Sequence, residues 1–263
     1  MKKLSLLALA LTLSTGIFAQ DANSSIAPPA SNGSFIGIIG GYSMPSGNWT
    51  KTSYISDEYG AWQANNPDNK SAGFAGNGTT FGVQGAWFFS KYIGIGGLVS
   101  CTQLNFKGLD SISAGYRGSF DVDQVTTSVS GGYTLWNFMT GVFFRYPFSD
   151  KFSVNARVLG GFTSATTPEI DVAVEDGGVE DGTFTQQRCT ANSFGYMIGI
   201  GVTYNVCNSL AINLLGDYYS SQPNFMIDNT NRNINAGRLI TSYNQPLTGI
   251  NISLGVSYLI GNK

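Results

Sequence analysis

Residues 249–260 read Gly249-Ile250-Asn251-Ile252-Ser253-Leu254-Gly255-Val256-Ser257-Tyr258-Leu259-Ile260. Bulky apolar side chains hold the even positions. Small and polar ones hold the odd positions as far as Ser257. Alternation with period two marks a strand with two unlike faces. The same pattern recurs upstream. Phe81, Val83, Trp87 and Phe89 alternate with Thr80, Gly82, Gln84 and Ala86. Phe152, Val154, Ala156, Val158 and Phe162 alternate with Ser153, Asn155, Arg157 and Gly161. Phe194, Tyr196, Ile198, Ile200, Val202 and Tyr204 alternate with Ser193, Gly195, Gly199, Gly201 and Thr203.

The polar phase decides which face points where. It is Gly, Ser, Thr and Asn, and its charged members are Arg145, Arg157 and Asp217. A water-facing surface would carry many Lys and Glu. A narrow barrel lumen instead favours small residues and a few paired charges. The apolar phase is therefore assigned to lipid. Closure of the sheet satisfies the backbone hydrogen bonds that lipid cannot.

Eight such strands are predicted, at 34–43, 79–89, 92–106, 132–147, 151–165, 192–205, 209–221 and 247–260. Short turns at Ser90-Lys91, Phe148-Ser149-Asp150 and Val206-Cys207-Asn208 alternate with long connections at 44–78, 107–131, 166–191 and 222–246. Short turns at one end and long loops at the other are the habit of outer-membrane barrels, and an even strand number puts both termini on the short-turn side. Aromatics gather at both strand ends, as at two membrane–water interfaces. Phe88, Phe89, Tyr92, Tyr146, Phe148, Phe152 and Tyr204 lie near the short turns; Phe106, Tyr133, Phe162, Phe194 and Tyr218 lie at the other end.

Composition agrees. Charged residues are only 11% of the chain, against 42% hydrophobic, whereas soluble domains carry about a quarter charged residues. Beyond the leader, no segment reaches the run of about 18 apolar residues that a membrane helix needs. Lys2, Lys3 and the apolar Leu4–Leu13 core read as an export signal over 1–19, with cleavage after Ala19. Residues 20–33 read as a flexible periplasmic tether, and 34–263 as the barrel domain. The net charge of −2 offers no basic field for nucleic acid.

On these residues the chain resembles the small outer-membrane barrels of the OmpA transmembrane domain and OmpX type. The last strand carries the most specific part of the likeness. Ser253, Gly255, Tyr258 and Ile260 follow the family's assembly signal, a polar residue, a glycine two later and hydrophobics spaced by one, although Gly261-Asn262-Lys263 follow where the family often ends on an aromatic. The resemblance implies an eight-stranded up-and-down barrel in the bacterial outer membrane, with periplasmic termini. It also implies recognition of the last strand by the barrel-insertion machinery.

The chain has no histidine, which removes Ser-His-Asp and Cys-His catalysis and imidazole metal ligation. No enzyme activity and no cofactor are expected. A lumen network is expected instead. Asp217 should pair with Arg157 or Arg145, helped by Gln84, Asn137, Asn155 and Asn213, because a buried charge is costly unless paired. Since Arg145 lies near the periplasmic end and Asp217 nearer the outer end, those two need not meet. The network is read as a polar plug, with a gate in a narrow water path as the alternative.

The acidic residues Glu169, Asp171, Glu175, Asp176, Glu180 and Asp181 match no calcium-loop spacing and are read as solvated loop. Trp49, Tyr54, Tyr59, Trp62, Tyr116, Phe120, Phe184, Phe225 and Tyr243 are read as loop aromatics, either binding anchors or mutual packing. Cys101, Cys189 and Cys207 are an odd set, with Cys189 and Cys207 too far apart along one strand to bridge. The expected role is structural and surface-contact, through long extracellular loops. The alternatives are a narrow conduit, or a soluble lipocalin-like barrel that binds a small apolar ligand. Expected partners are outer-membrane lipid, the insertion machinery and a surface ligand.

Overall fold

The computed structural model describes residues 33–52, 72–120, 122–231 and 239–260. The export segment and nearly all of the tether lie outside them. Along the chain the strands are β1 (Ser34–Ser46), β2 (Ala75–Phe88), β3 (Ile93–Phe106), β4 (Gln124–Ser130), β5 (Tyr133–Pro147), β6 (Phe152–Thr166) and β7 (Glu169–Asp176). They continue as β8 (Val179–Gln186), β9 (Thr190–Cys207), β10 (Leu210–Ser221), β11 (Asn224–Asn231), β12 (Leu239–Asn244) and β13 (Leu247–Ile260). A helix α1 (Leu109–Phe120) lies between β3 and β4, and a 3-10 turn covers Gly47–Thr50.

Eight strands close a barrel in the order β1-β13-β10-β9-β6-β5-β3-β2. Every neighbour pair is antiparallel, and Ser34 opposite Ile260 begins the seam between first and last strands. The eight predicted strands are these eight. Their polarity is inverted relative to a water-soluble barrel. Ile198 and Ile252 are each 50% exposed and Val154 37%, while Arg157 is 3% and Asn251 4% exposed. Such a belt of bare Ile, Val, Leu and Phe around a closed sheet requires an apolar solvent, so the chain is a transmembrane β-barrel.

The lumen is less uniform than expected. Beside its small polar residues it holds buried Leu98, Leu104, Leu135, Met139, Leu159, Met197 and Leu215. An eight-stranded interior must be filled with side chains, and glycines on neighbouring strands make room for the large ones. A Cβ on Gly201 would come within 2.6 Å of Leu215 Cδ2.

The larger correction concerns the long connections. Three of the four, read from the sequence as loops, build a second antiparallel sheet in the order β12-β11-β8-β7-β4. Its physical cause is visible in β7. Ile170, Val172 and Val174 are buried and alternate with Glu169, Asp171, Ala173 and Glu175. Gly177 and Gly178 then turn the chain at φ of 58° and 80°, a conformation that glycine adopts without steric cost. Helix α1 lies on β4, where the Ser113 and Thr127 hydroxyls bond at 2.7 Å. Phe74, Ile112, Tyr116, Val125, Ile170, Val172 and Val174 form a core of their own, and Phe106 packs against both this core and that of the barrel.

Prolines mark several junctions between the two sheets. Pro168 separates β6 from β7, Pro223 separates β10 from β11, and Pro246 separates β12 from β13. Proline has no N–H to donate, so a ladder ends there. The chain stays paired across the gaps: Thr167 N donates to Cys189 O at 2.9 Å, and Gln245 N to Pro223 O at 3.0 Å.

Candidate functional site: the lumen brace and its cap

The site begins with a register. On β9, Gly199 stands opposite Arg157 of β6 on one side and Asp217 of β10 on the other. All three point inward. Because glycine has no side chain, Arg157 reaches across β9 to Asp217. Arg157 Nε donates to Asp217 Oδ1 at 2.8 Å, and Nη2 donates to Oδ2 at 2.6 Å. A Cβ at Gly199 would lie 1.9 Å from Asp217 Oδ1 and 3.1 Å from Arg157 Cγ. This two-pronged geometry is the strong form of a charge-assisted contact. The third guanidinium direction is used as well, since Arg157 Nη1 donates to Gln84 Oε1 of β2, across the lumen. The brace thus ties β2, β6 and β10 together.

Two neutral chains run along the wall. Asn155 Nδ2 donates to Thr203 Oγ1 (2.6 Å), Thr203 to Asn213 Oδ1 (2.5 Å), and Asn213 Nδ2 to Ser257 Oγ (2.7 Å). Asn137 accepts from Thr163 at 2.9 Å and donates to Ser100 at 3.3 Å. Each chain links strands across the barrel's ladders, so the members of these two chains find partners in one another.

Arg145 is not brought to Asp217. It sits at the short-turn end of β5, donates from Nη1 to Gly33 O at 3.0 Å, and lies over the Phe88 ring at 4.2 Å and the Phe35 ring at 5.9 Å. The assembly-signal residues occupy β13, the strand that seals the barrel against β1. Ser253 and Gly255 face inward, whereas Tyr258 and Ile260 face outward.

The end with the long connections is capped by Trp49. It is fully buried and meets Tyr133 edge-on at 5.6 Å and Tyr219 at 6.4 Å. Tyr219 in turn shares a 3.3 Å hydroxyl contact with Ser43. Gly73 lies against the indole, where a Cβ would be 2.4 Å from Trp49 Cδ1. The four loop aromatics whose side chains are described are packed rather than displayed. Trp49, Tyr116 and Phe225 are buried and Phe184 is half-buried. Tyr54, Tyr59 and Trp62 lie outside the described residues, as do the side chains of Phe120 and Tyr243.

Sequence reasoning missed Gly199, Thr203, Ser257, Thr163 and Ser100 as members of the lumen network. A register-aware search would have found Gly199, because it faces an Arg and an Asp on its two flanks. Among the described residues no cluster of His, Cys, Asp and Glu could hold a metal. The acidic side chains act locally: Asp171 accepts from Thr185 at 2.6 Å, and Asp123 from Gly177 N at 3.2 Å. The three cysteines are free, with Cys101 on the lipid-facing phase of β3 and Cys207 exposed beside a short turn. On the short-turn side of the brace the lumen keeps a cavity of about 30 Å³, lined by Phe35, Phe143, Arg145, Asn213, Ser257 and Leu259 among others.

No protein-family model and no curated protein matches the chain. Solved structures similar to it include the outer membrane protein OprG from Pseudomonas aeruginosa, with TM-score 0.45 and 13% identity over 86% of this chain and 95% of that one. Ail, the attachment invasion locus protein of Yersinia pestis, is similar with TM-score 0.38 and 13% identity, over 87% and 99% of the two chains. The outer membrane protease OmpT from Escherichia coli is similar with TM-score 0.44 and 10% identity, over 91% and 99%.

Proposed function

We propose that this is a non-enzymatic protein of the bacterial outer membrane, with periplasmic termini, whose braced barrel is a pedestal for a folded sheet at the cell surface. The observation that carries the reading is the second sheet. It continues the barrel strands past the membrane band and has its own core. Long connections in compact folds are commonly functional, and contacts presented from a rigid scaffold are the usual use of such a region. The absence of histidine from the whole chain supports a non-catalytic role. The conduit reading requires a water path, and the lumen instead holds a cross-braced network, buried leucines and methionines, and a Trp49 cap. Lipid is the partner of the apolar belt, the insertion machinery that of β13, and a surface ligand that of the outer sheet.

Topology can be tested in intact cells with a membrane-impermeant maleimide. Asp176→Cys, in the exposed turn between β7 and β8, should be labelled at once. The native Cys207, beside a short turn, should be labelled only after the outer membrane is permeabilised. The reverse order would overturn the proposed orientation. In planar bilayers the protein should be silent. Steady unitary conductance that Asp217→Asn abolishes would establish the conduit in its place.

A further inference from the structure

Arg145 is, among the described residues, a positive charge of the lumen that the brace does not answer. Among the described residues the ion pair is Arg157–Asp217, and Arg145 has no carboxylate. Its Nη1 is held by Gly33 O and its face by Phe88. Its Nε–H is buried and has no hydrogen-bond partner. Arg145 as a whole is half-buried, but a guanidinium N–H that is buried without an acceptor is costly unless an acceptor or an opposite charge lies beside it. The cavity of about 30 Å³ opens against this residue. The Ser257 hydroxyl, which accepts from Asn213 and keeps its own proton to give, lines the same cavity.

We propose that this cavity is a binding site for a small monovalent anion of halide size, held by Arg145 Nε–H and Ser257 O–H, which serves as the counter-ion of Arg145. Size sets the class. One water needs roughly 10–15 Å³ of such space, so a cavity of about 30 Å³ suits a monatomic ion better than a larger oxyanion. The rest of the lining sets the preference. Phe35, Phe143 and Leu259 offer no hydrogen bonds, so an anion that sheds its water easily is favoured. Bromide and chloride should bind, and fluoride, sulfate and gluconate should not.

The test uses the full folded protein in detergent micelles and follows the temperature at which the compact, fast-migrating form is lost. Exchanging gluconate for bromide at constant ionic strength should raise the wild-type midpoint by several degrees and saturate, because a ligand that binds only the folded state stabilises it. Arg145→Gln should abolish the shift. Should that variant fail to fold, Ala211→Leu decides instead, because it fills the cavity from β10 and leaves Arg145 in place. No shift in the wild type, or a shift that survives Arg145→Gln or Ala211→Leu, overturns the proposal. Such results would mean that the cavity holds water alone.

Discussion

The barrel wall and the outer sheet use the same two-residue alternation in opposite senses. In β9 the apolar phase, Ile198, Ile200 and Val202, faces outward and the glycines face in. In β7 the apolar phase, Ile170, Val172 and Val174, faces inward and the carboxylates face out. A strand is indifferent to which of its faces is buried; the solvent decides. Lipid surrounds the first strand and water the second. The inversion falls at the junctions, near Pro168, Pro223 and Pro246, where the ladders are interrupted. Interrupting the ladder lets one chain change its inside for its outside without a strand having to serve both solvents.

The strongest way to break this comparison is to attack what, among the described residues, the barrel alone has, a buried ion pair. Arg157→Ala leaves Asp217 buried without its partner and should lower the unfolding free energy by about 3–5 kcal/mol, measured by urea unfolding in lipid vesicles with tryptophan fluorescence. Arg157→Met combined with Asp217→Leu should recover most of that loss, since an apolar replacement of a buried pair is often neutral. If the double variant is as unstable as the single one, the brace contributes more than charge balance.

Next come charges on the two outer faces. Ile198→Lys places an ammonium in the lipid belt and should cost about 2–4 kcal/mol in the same assay. Glu175→Lys, on the water-facing phase of the outer sheet, should stay within about 0.5 kcal/mol of wild type. Equal costs would mean that both faces meet the same solvent, which would remove the inverted reading of the two sheets.

Gly199→Ala probes the brace more gently. The added methyl would intrude on Asp217 Oδ1, and overpacking of this kind costs about 1–3 kcal/mol. The loss should shrink in the background of Asp217→Ala, where the Oδ1 contact is gone and only the 3.1 Å approach to Arg157 is left. A double-mutant cycle measures that coupling.

How much of this was legible depends on what each residue must satisfy. The eight wall strands could be read because their polar phase is almost free of charge, which only a closed lumen explains. Arg157, Asp217 and Gln84 followed from the same phase. The second sheet is hidden by its charge, although Ile170, Val172 and Val174 alternate as clearly as any wall strand. Glu169, Asp171 and Glu175 have the composition of a solvated acidic loop, and only the Asp176-Gly177-Gly178 turn and the three prolines mark them as the wet phase of a strand. Trp49 is a different case. A tryptophan in a long polar connection looks the same whether displayed or buried, and only Tyr133 and Tyr219, far away in sequence, decide it. Gly199 needed the register of three strands, which no local pattern supplies.

The smallest effect sharpens the comparison most, because it asks whether the two sheets melt together. Gly178, at φ 80°, turns β7 into β8 with nothing within 4 Å of a would-be Cβ, so Gly178→Ala meets only the backbone penalty. That penalty is about 1–2 kcal/mol. Two cores joined through Phe106 should behave as separate cooperative units, with the outer one opening locally. Gly178→Ala should therefore speed proteolysis at the β7–β8 hairpin by about ten-fold, as expected for roughly 1.4 kcal/mol of local opening, and leave the urea midpoint of the wall unchanged. If the wall midpoint falls as well, the sheets share one unfolding transition. The proline junctions would then divide the solvents without dividing the stability.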